Sequence, residues 1–254
     1  MSYDRALAVR PDYVEARLNC GVTLHELKRF EEALTSYDRA LTLRPDYAEA
    51  LYYRGVTLHQ LQRYQEALAS YDHALIVQPG HAESLYNRGN ALYELKRFEE
   101  ALASYDRALT LRPDYAEALS TRGLALHELK RFEEALTSYD RALMLRQDYA
   151  EAFLNRGITL HVIKRFDEAL ASYVCVLALR PDYAEPYSNR GVTLHELQRL
   201  EDALTSYDRA LTLRPDYAGA LYNRGNTLGE AIRRGAGELR RRACREAELC
   251  QRTL

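Results

Sequence analysis

The sequence predicts an all-α fold, a solenoid of antiparallel helix pairs stacked one upon the next. Three observations carry that expectation. Glycine returns every 34 residues, at Gly21, Gly55, Gly89, Gly123, Gly157, Gly191 and Gly225. Alanine keeps the same period at Ala33, Ala67, Ala101, Ala135, Ala169 and Ala203, as does tyrosine at Tyr37, Tyr71, Tyr105, Tyr139, Tyr173 and Tyr207. Prolines close the units at Pro11, Pro45, Pro79, Pro113, Pro181 and Pro215, with Gln147 as the one departure. Leu24–Leu41 is identical to Leu126–Leu143, which points to recent internal duplication. A single helix pair cannot bury its apolar face, so units of this length must stack.

Six full units follow from the period, at 14–47, 48–81, 82–115, 116–149, 150–183 and 184–217. In the second of them, Asp46 and Glu49 read as a helix N-cap and its reciprocal partner, a capping box that recurs from Asp114, Asp148 and Asp182. The first helix then carries Leu51, Val56, Leu58 and Leu61 and is expected to end near Gln62-Arg63, where a basic side chain suits the helix dipole. The second helix is expected from Tyr64 to Val77, stopped by Pro79. Small residues at Gly55, Ala67 and Ala74 allow close approach, and Leu58, Tyr71 and Leu75 fill what remains.

Both ends are ragged. Residues 1–13 carry Tyr3, Ala6 and Pro11 and match only the second helix of a unit; 218–229 match only a first helix. From Glu230 to Leu254 the pattern gives way to an Arg-rich tail with Arg233, Arg234, Arg240, Arg241 and Arg242. One permitted choice of codons for this tail, read one base out of frame, begins Lys-Arg-Phe-Glu-Glu-Ala-Leu-Ala-Ser-Tyr-Asp and continues as the missing second helix. The tail is therefore read as out-of-frame repeat DNA, with a basic interaction tail as the alternative. An array without a polar terminal cap is expected to self-associate at its C-terminal end.

At Leu51, Gly55, Leu58, Ala67, Tyr71, Ala74 and Pro79 the chain resembles the tetratricopeptide repeat family. The resemblance implies a right-handed superhelix whose inner face is lined by the first helix of each unit, with peptide or protein ligands lying there. One departure stands out. Arg54, Arg88, Arg122, Arg156, Arg190 and Arg224 occupy the place before the glycine where the family usually has Leu. Each is expected to lay its stem on the core and pair with Asp38, Asp72, Asp106, Asp140 or Asp208, forming an ion-pair ladder.

Counting Ala48 as position one, position six of the first helix holds Asn19, Asn87, Asn155, Asn189 and Asn223, interrupted by Tyr53 and Thr121. An amide offers one acceptor and two donors, so such a column brackets the backbone of an extended peptide without reading its sequence. It resembles the asparagine ladder in the superhelix of O-linked N-acetylglucosamine transferases, and the repeats resemble their bacterial SPINDLY-type relatives. Position twelve gives His25, His59, His127, His161 and His195, interrupted by Tyr93. If that stripe faces a ligand, binding changes near pH ~6.5. Metal is not expected, because helices roughly 8–10 Å apart keep these rings too distant to share an ion. Tyr52, Tyr86 and Tyr222 at position five read as flat amphipathic contact surface. Glutamates at position two, Glu15 to Glu185, replace the lysines and arginines with which chaperone-binding members of the family clamp a terminal carboxylate.

Composition narrows the class further. Lys plus Arg number 35 against 37 Asp plus Glu, a balance that argues against nucleic acid as partner. No apolar run approaches a membrane span, and no signal-peptide core opens the chain; the expected compartment is the cytoplasm. Cys20, Cys175, Cys244 and Cys250 show no CxxC spacing. No phosphate loop, nucleophile elbow or zinc-protease motif is present, and neither catalysis nor a cofactor is expected. The reading is a scaffold that binds a peptide or protein segment along the groove. Its alternative is the detached substrate-recognition array of an O-linked N-acetylglucosamine transferase-like enzyme, without its catalytic domain.

Overall fold

The computed structural model describes residues 7–252, with side chains described as far as residue 235. The helices are α1 (Val14–Glu26), α2 (Phe30–Leu43), α3 (Ala48–Gln60), α4 (Tyr64–Val77), α5 (Ala82–Glu94), α6 (Phe98–Leu111), α7 (Ala116–Glu128), α8 (Phe132–Leu145), α9 (Ala150–Val162), α10 (Phe166–Leu179), α11 (Ala184–Glu196), α12 (Leu200–Leu213) and α13 (Ala218–Arg252). No strand occurs among the described residues. The chain divides into two compact units, Met1–Leu145 and Arg146–Leu254. Within each, odd-numbered helices are the first members of pairs and even-numbered helices the second, and each helix packs against its successor.

The turn inside each pair is a left-handed cap. Lys28 has φ 59°; its N–H donates to the His25 carbonyl at 2.8 Å, and that of Arg29 donates to Leu24 at 2.8 Å, the two bonds of a Schellman turn. Gln62, Lys96, Lys130, Lys164 and Gln198 repeat it with φ between 58° and 63°. The first helix of unit 48–81 thus ends at Gln60, not near Gln62-Arg63. Arg63 instead pairs with Glu66 at 2.7 Å on the following helix. The seventh copy of the turn position is Ile232, a β-branched residue that strongly resists positive φ. Accordingly α13 does not stop at 229; it runs on to Arg252, so the tail described there continues the first helix.

The expected capping boxes do not form. Tyr47, not Asp46, is the N-cap of α3, and no side chain caps it; Tyr115, Tyr149 and Tyr183 repeat this ahead of α7, α9 and α11. The reason is the preceding turn. The Tyr47 N–H donates to the Arg44 carbonyl at 3.2 Å, which leaves Asp46 one residue outside the helix. Glu151, assigned to one of the boxes, reaches across its pair to Arg180 at 2.9 Å instead, and Glu15 and Glu83 at the same position of their units reach Arg44 and Arg112 at 2.6 Å. Gln147 does not disturb the turn, since the Tyr149 N–H still donates to Arg146 at 3.3 Å.

The core is the one the period predicts. Ala33, Ala67, Ala101, Ala135, Ala169 and Ala203 are wholly buried, and the six periodic tyrosines from Tyr37 to Tyr207 are buried with them. Each tyrosine ring lies on the glycine of its own pair: a Cβ placed on Gly55 would come within 2.6 Å of Tyr71 Cε1. Burial of the apolar body of these rings contributes to the stability of each pair.

The arginine ladder is present and has a second rung. Arg54 Nε donates to Asp38 at 2.8 Å while its Nη1 donates to Ser70 at 2.7 Å, tying α2 to α4 through α3. Arg88 does the same with Asp72 and Ser104, and Arg122 with Asp106 and Ser138, every bond at 2.6 Å. In the second unit Arg224 pairs with Asp208 at 2.5 Å. For Arg190 the carboxylate position is filled by Val174, an exposed valine.

Candidate functional site

Successive first helices touch each other, α1 to α3 to α5 to α7 in the first unit and α9 to α11 to α13 in the second. Position six therefore forms a row within each unit. Asn19 is exposed, while Asn87, Asn155, Asn189 and Asn223 are partly exposed. Except at Asn87, where Ala91 follows, the backbone carbonyl accepts from the threonine one turn on, Thr23 to Asn19 at 2.9 Å, Thr159 to Asn155 at 2.8 Å, Thr193 to Asn189 at 3.0 Å and Thr227 to Asn223 at 2.8 Å. That local bond fixes the backbone beneath each amide and leaves the amide itself outward. Among the described residues, the side-chain amides of Asn19, Asn155, Asn189 and Asn223 make no hydrogen bond to protein; Asn87 Nδ2 donates to the Tyr52 hydroxyl at 3.3 Å.

The histidine stripe has a structural engagement that the sequence does not announce. His25 Nδ1 lies 2.8 Å from Thr57 Oγ1 on the next first helix, and His161 Nδ1 lies 2.9 Å from Thr193 Oγ1. His195 Nε2 meets Glu230 Oε2 at 3.0 Å. The rings of His25, His59, His127 and His161 also abut Phe30, Tyr64, Phe132 and Phe166, with centroids 5.1–5.4 Å apart. Burial pushes the imidazoles of His25, His59, His127 and His161 below their usual range, so the neutral form is favoured. The stripe is part of the packing between neighbouring pairs and is only partly open to solvent.

Position five differs from the expected open surface. Tyr52 packs against Tyr71 and edge-on against His81, 5.1 Å between centroids, and Tyr86 lies 4.8 Å from Tyr115 and 6.2 Å from Tyr105. Both are half-buried, because position five points at the following pair. Tyr222 alone of the three is open, at 71% exposure. Its surroundings explain this: Gly225, whose counterparts each meet a tyrosine ring, has nothing within 4 Å, and Leu221, Leu228 and Ile232 are exposed around it.

The sequence reading missed Asn90, Tyr93, Glu94 and Thr121. With His59 and Tyr105 they line a cavity of about 260 Å³ in the first unit. Its signal was available as a cluster of departures from the repeat, Asn90 where most units have an aliphatic residue, Tyr93 where they have His, and Thr121 where they have Asn. Among the described residues no three His, Cys, Asp or Glu side chains gather as metal ligands would, and no helix is long and apolar enough to cross a membrane.

Comparison with known proteins sets this geometry in context. A TPR repeat profile matches residues 23–62, 89–130, 123–162, 163–198 and 193–231, and a tetratricopeptide repeat profile matches 48–81. Among curated proteins none matches. Among solved structures, YrrB, described as a TPR protein with an unusual peptide-binding site, is 27% identical, with a TM-score of 0.61 over 73% of this chain and 96% of that one. PilW, a type IV pilus biogenesis factor, is 19% identical, with a TM-score of 0.75 over 82% of this chain and 97% of that one. MamA is 21% identical, with a TM-score of 0.60 over 65% of this chain and 96% of that one. The likeness to the last two is one of fold alone.

Proposed function

We propose that this chain, which belongs to the tetratricopeptide repeat family, is a non-catalytic scaffold that holds a peptide or protein segment along the row of its first helices. The observation that carries the reading is the outward, unengaged amides of Asn155, Asn189 and Asn223 on helices that touch one another. Each amide meets a peptide unit with one acceptor and two donors, and repetition from helix to helix sets a register for an extended backbone. Asn19 and Asn87 extend the same chemistry in the first unit. His25, His59 and His127 in the first unit, and His161 and His195 in the second, are partly exposed on the same first helices, Tyr52 and Tyr86 are half-buried there, and Tyr222 is an open aromatic face. The peptide-binding site named for YrrB lends support as a relative's property.

The test is a display selection of random peptides on the immobilised full chain, followed by titration of the selected peptides. Replacing both Asn155 and Asn189 by Ala is expected to weaken binding roughly tenfold or more, since each lost hydrogen bond contributes about 1 kcal/mol. Helical circular dichroism should not change. Unaltered affinity in the double variant would remove the asparagines from the site.

A further inference from the structure

The cavity lined from α3, α5, α6 and α7 lies where Tyr93 interrupts the histidine stripe. His59 Nε2 is buried and has no hydrogen-bond partner. The other ring nitrogen also differs from its counterparts: Nδ1 of His25 and of His161 bonds Thr57 and Thr193, whereas the residue at the same position after His59 is Ala91. A polar atom shut away from water without a partner is costly, and other atoms of the same side chain line the cavity.

The accessible lining is mostly apolar, with Leu124 part of it, and carries a few polar groups. The Tyr105 hydroxyl donates to Asn90 Oδ1 at 2.9 Å, holding that amide in place. Thr121 donates its own hydroxyl proton to the Glu117 carbonyl at 3.0 Å, so its oxygen has lone pairs to spare. Tyr93 stacks edge-on against Phe98 and feels the negative charge of both Glu128 and Glu94. Glu94 and Glu128 are exposed and neither forms an ion pair among the described residues. Glu26 and Glu196, at the same place in their units, likewise form none, in contrast to Glu32, Glu66, Glu100, Glu134 and Glu168, which each hold an arginine.

From this arrangement we infer that the cavity lined by His59, Asn90, Tyr93, Glu94, Tyr105 and Thr121 is a specificity pocket for a basic side chain, arginine or lysine, of a bound peptide. The inference rests on the groove reading above and adds to it a position and a residue class. A cation entering the pocket meets the Glu94 carboxylate, the Thr121 oxygen and the ring face of Tyr93. The asparagines bind any backbone. This pocket selects what projects from it.

The experiment titrates the full chain with four fluorescent nonapeptides of Gly and Ser that differ only at the central residue: Arg, Lys, citrulline or Glu. Citrulline has the shape of arginine without its charge. The Arg and Lys peptides are expected to bind about tenfold or more tightly than the citrulline peptide, with the Glu peptide weakest. Glu94→Gln should erase that preference, and so should Asn90→Val with Tyr93→His, a pair that other units of the same chain already carry and that therefore folds. Equal binding of Arg and citrulline peptides, no binding of any of the four, or an undiminished preference in both variants would overturn the pocket. Display-selected peptides that still depend on Asn155 and Asn189 would then show that the groove reading survives without it.

Discussion

Gly89 lies so close under the ring of Tyr105 that a Cβ added to the glycine would stand 2.5 Å from Tyr105 Cε1. Tyr105 is buried, held by Asn90 and packed between Leu68, Leu92 and Ala101, so it has nowhere to retreat. Gly89→Ala is expected to destabilise the chain by about 1–3 kcal/mol through overpacking. Gly225→Ala should act the opposite way, stabilising by about 0.5–1 kcal/mol, because nothing opposes the methyl group there and Ala is the better helix former. Urea unfolding of the two variants reads both signs; equal effects would deny that the ring sets the need for glycine.

Acid should loosen the repeats before it titrates their carboxylates. The imidazoles of His25, His59, His127 and His161 are depressed below 6.5 by burial, so the unfolded chain binds protons that the folded chain refuses. Stability is therefore full above about pH 6.5 and falls as the pH drops through that value. The carboxylates of Glu32, Glu66 and Glu100, lowered by their arginine partners, add their own loss only below about pH 4.5. Melting temperatures measured between pH 7.5 and 5.0 should decline, and should decline less in the variant His25→Gln, His161→Gln.

Arg190 offers a repair. Val174 stands where other units place the aspartate that holds this arginine, and it is 55% exposed. Val174→Asp should complete the ladder and stabilise the second unit by up to about 1 kcal/mol, the range of a partly exposed ion pair. The gain should shrink in 1 M NaCl, where screening acts within about 3 Å; a gain indifferent to salt would assign it to something other than the pair.

Gln147→Pro is expected to stabilise by about 0.4–1 kcal/mol. The turn it enters is closed by the same hydrogen bond as those at Pro45, Pro113 and Pro181, so proline narrows the unfolded ensemble without straining the folded one. Thermal unfolding of the single variant measures the effect, and a lowered melting temperature would mean that the turn at Gln147 differs from its counterparts.

The contrast between Arg54 and His25 shows how far the site was legible. Arg54 and Asp38 recur together at fixed spacing in unit after unit, and a charge repeated beside its opposite declares its partner. The bond from His25 to Thr57 crosses to a different helix pair, and nothing in either residue type requires it. Tyr52 and Tyr86 were legible as aromatic but not as half-buried, since burial depends on what the next pair places over them. The cavity at His59 was legible only as scattered departures, Asn90, Tyr93 and Thr121, that the packing of α3, α5 and α7 draws together.

By itself the sequence determined the period, the helix pairs, the small-on-large contact of glycine and tyrosine, and the family, because each is a local or exactly repeated pattern. Tertiary structure decided where the helices begin and end. Asp46 lost its place as a cap to the turn from Arg44 to Tyr47, and Lys28 entered a left-handed turn without the glycine that would have signalled it. It also decided which polar groups are left unengaged, Asn155 and Asn189 outward and His59 Nε2 buried. Hydrogen-bond satisfaction is a property of three-dimensional neighbours, and a helix finds those neighbours only when the next pair is packed against it.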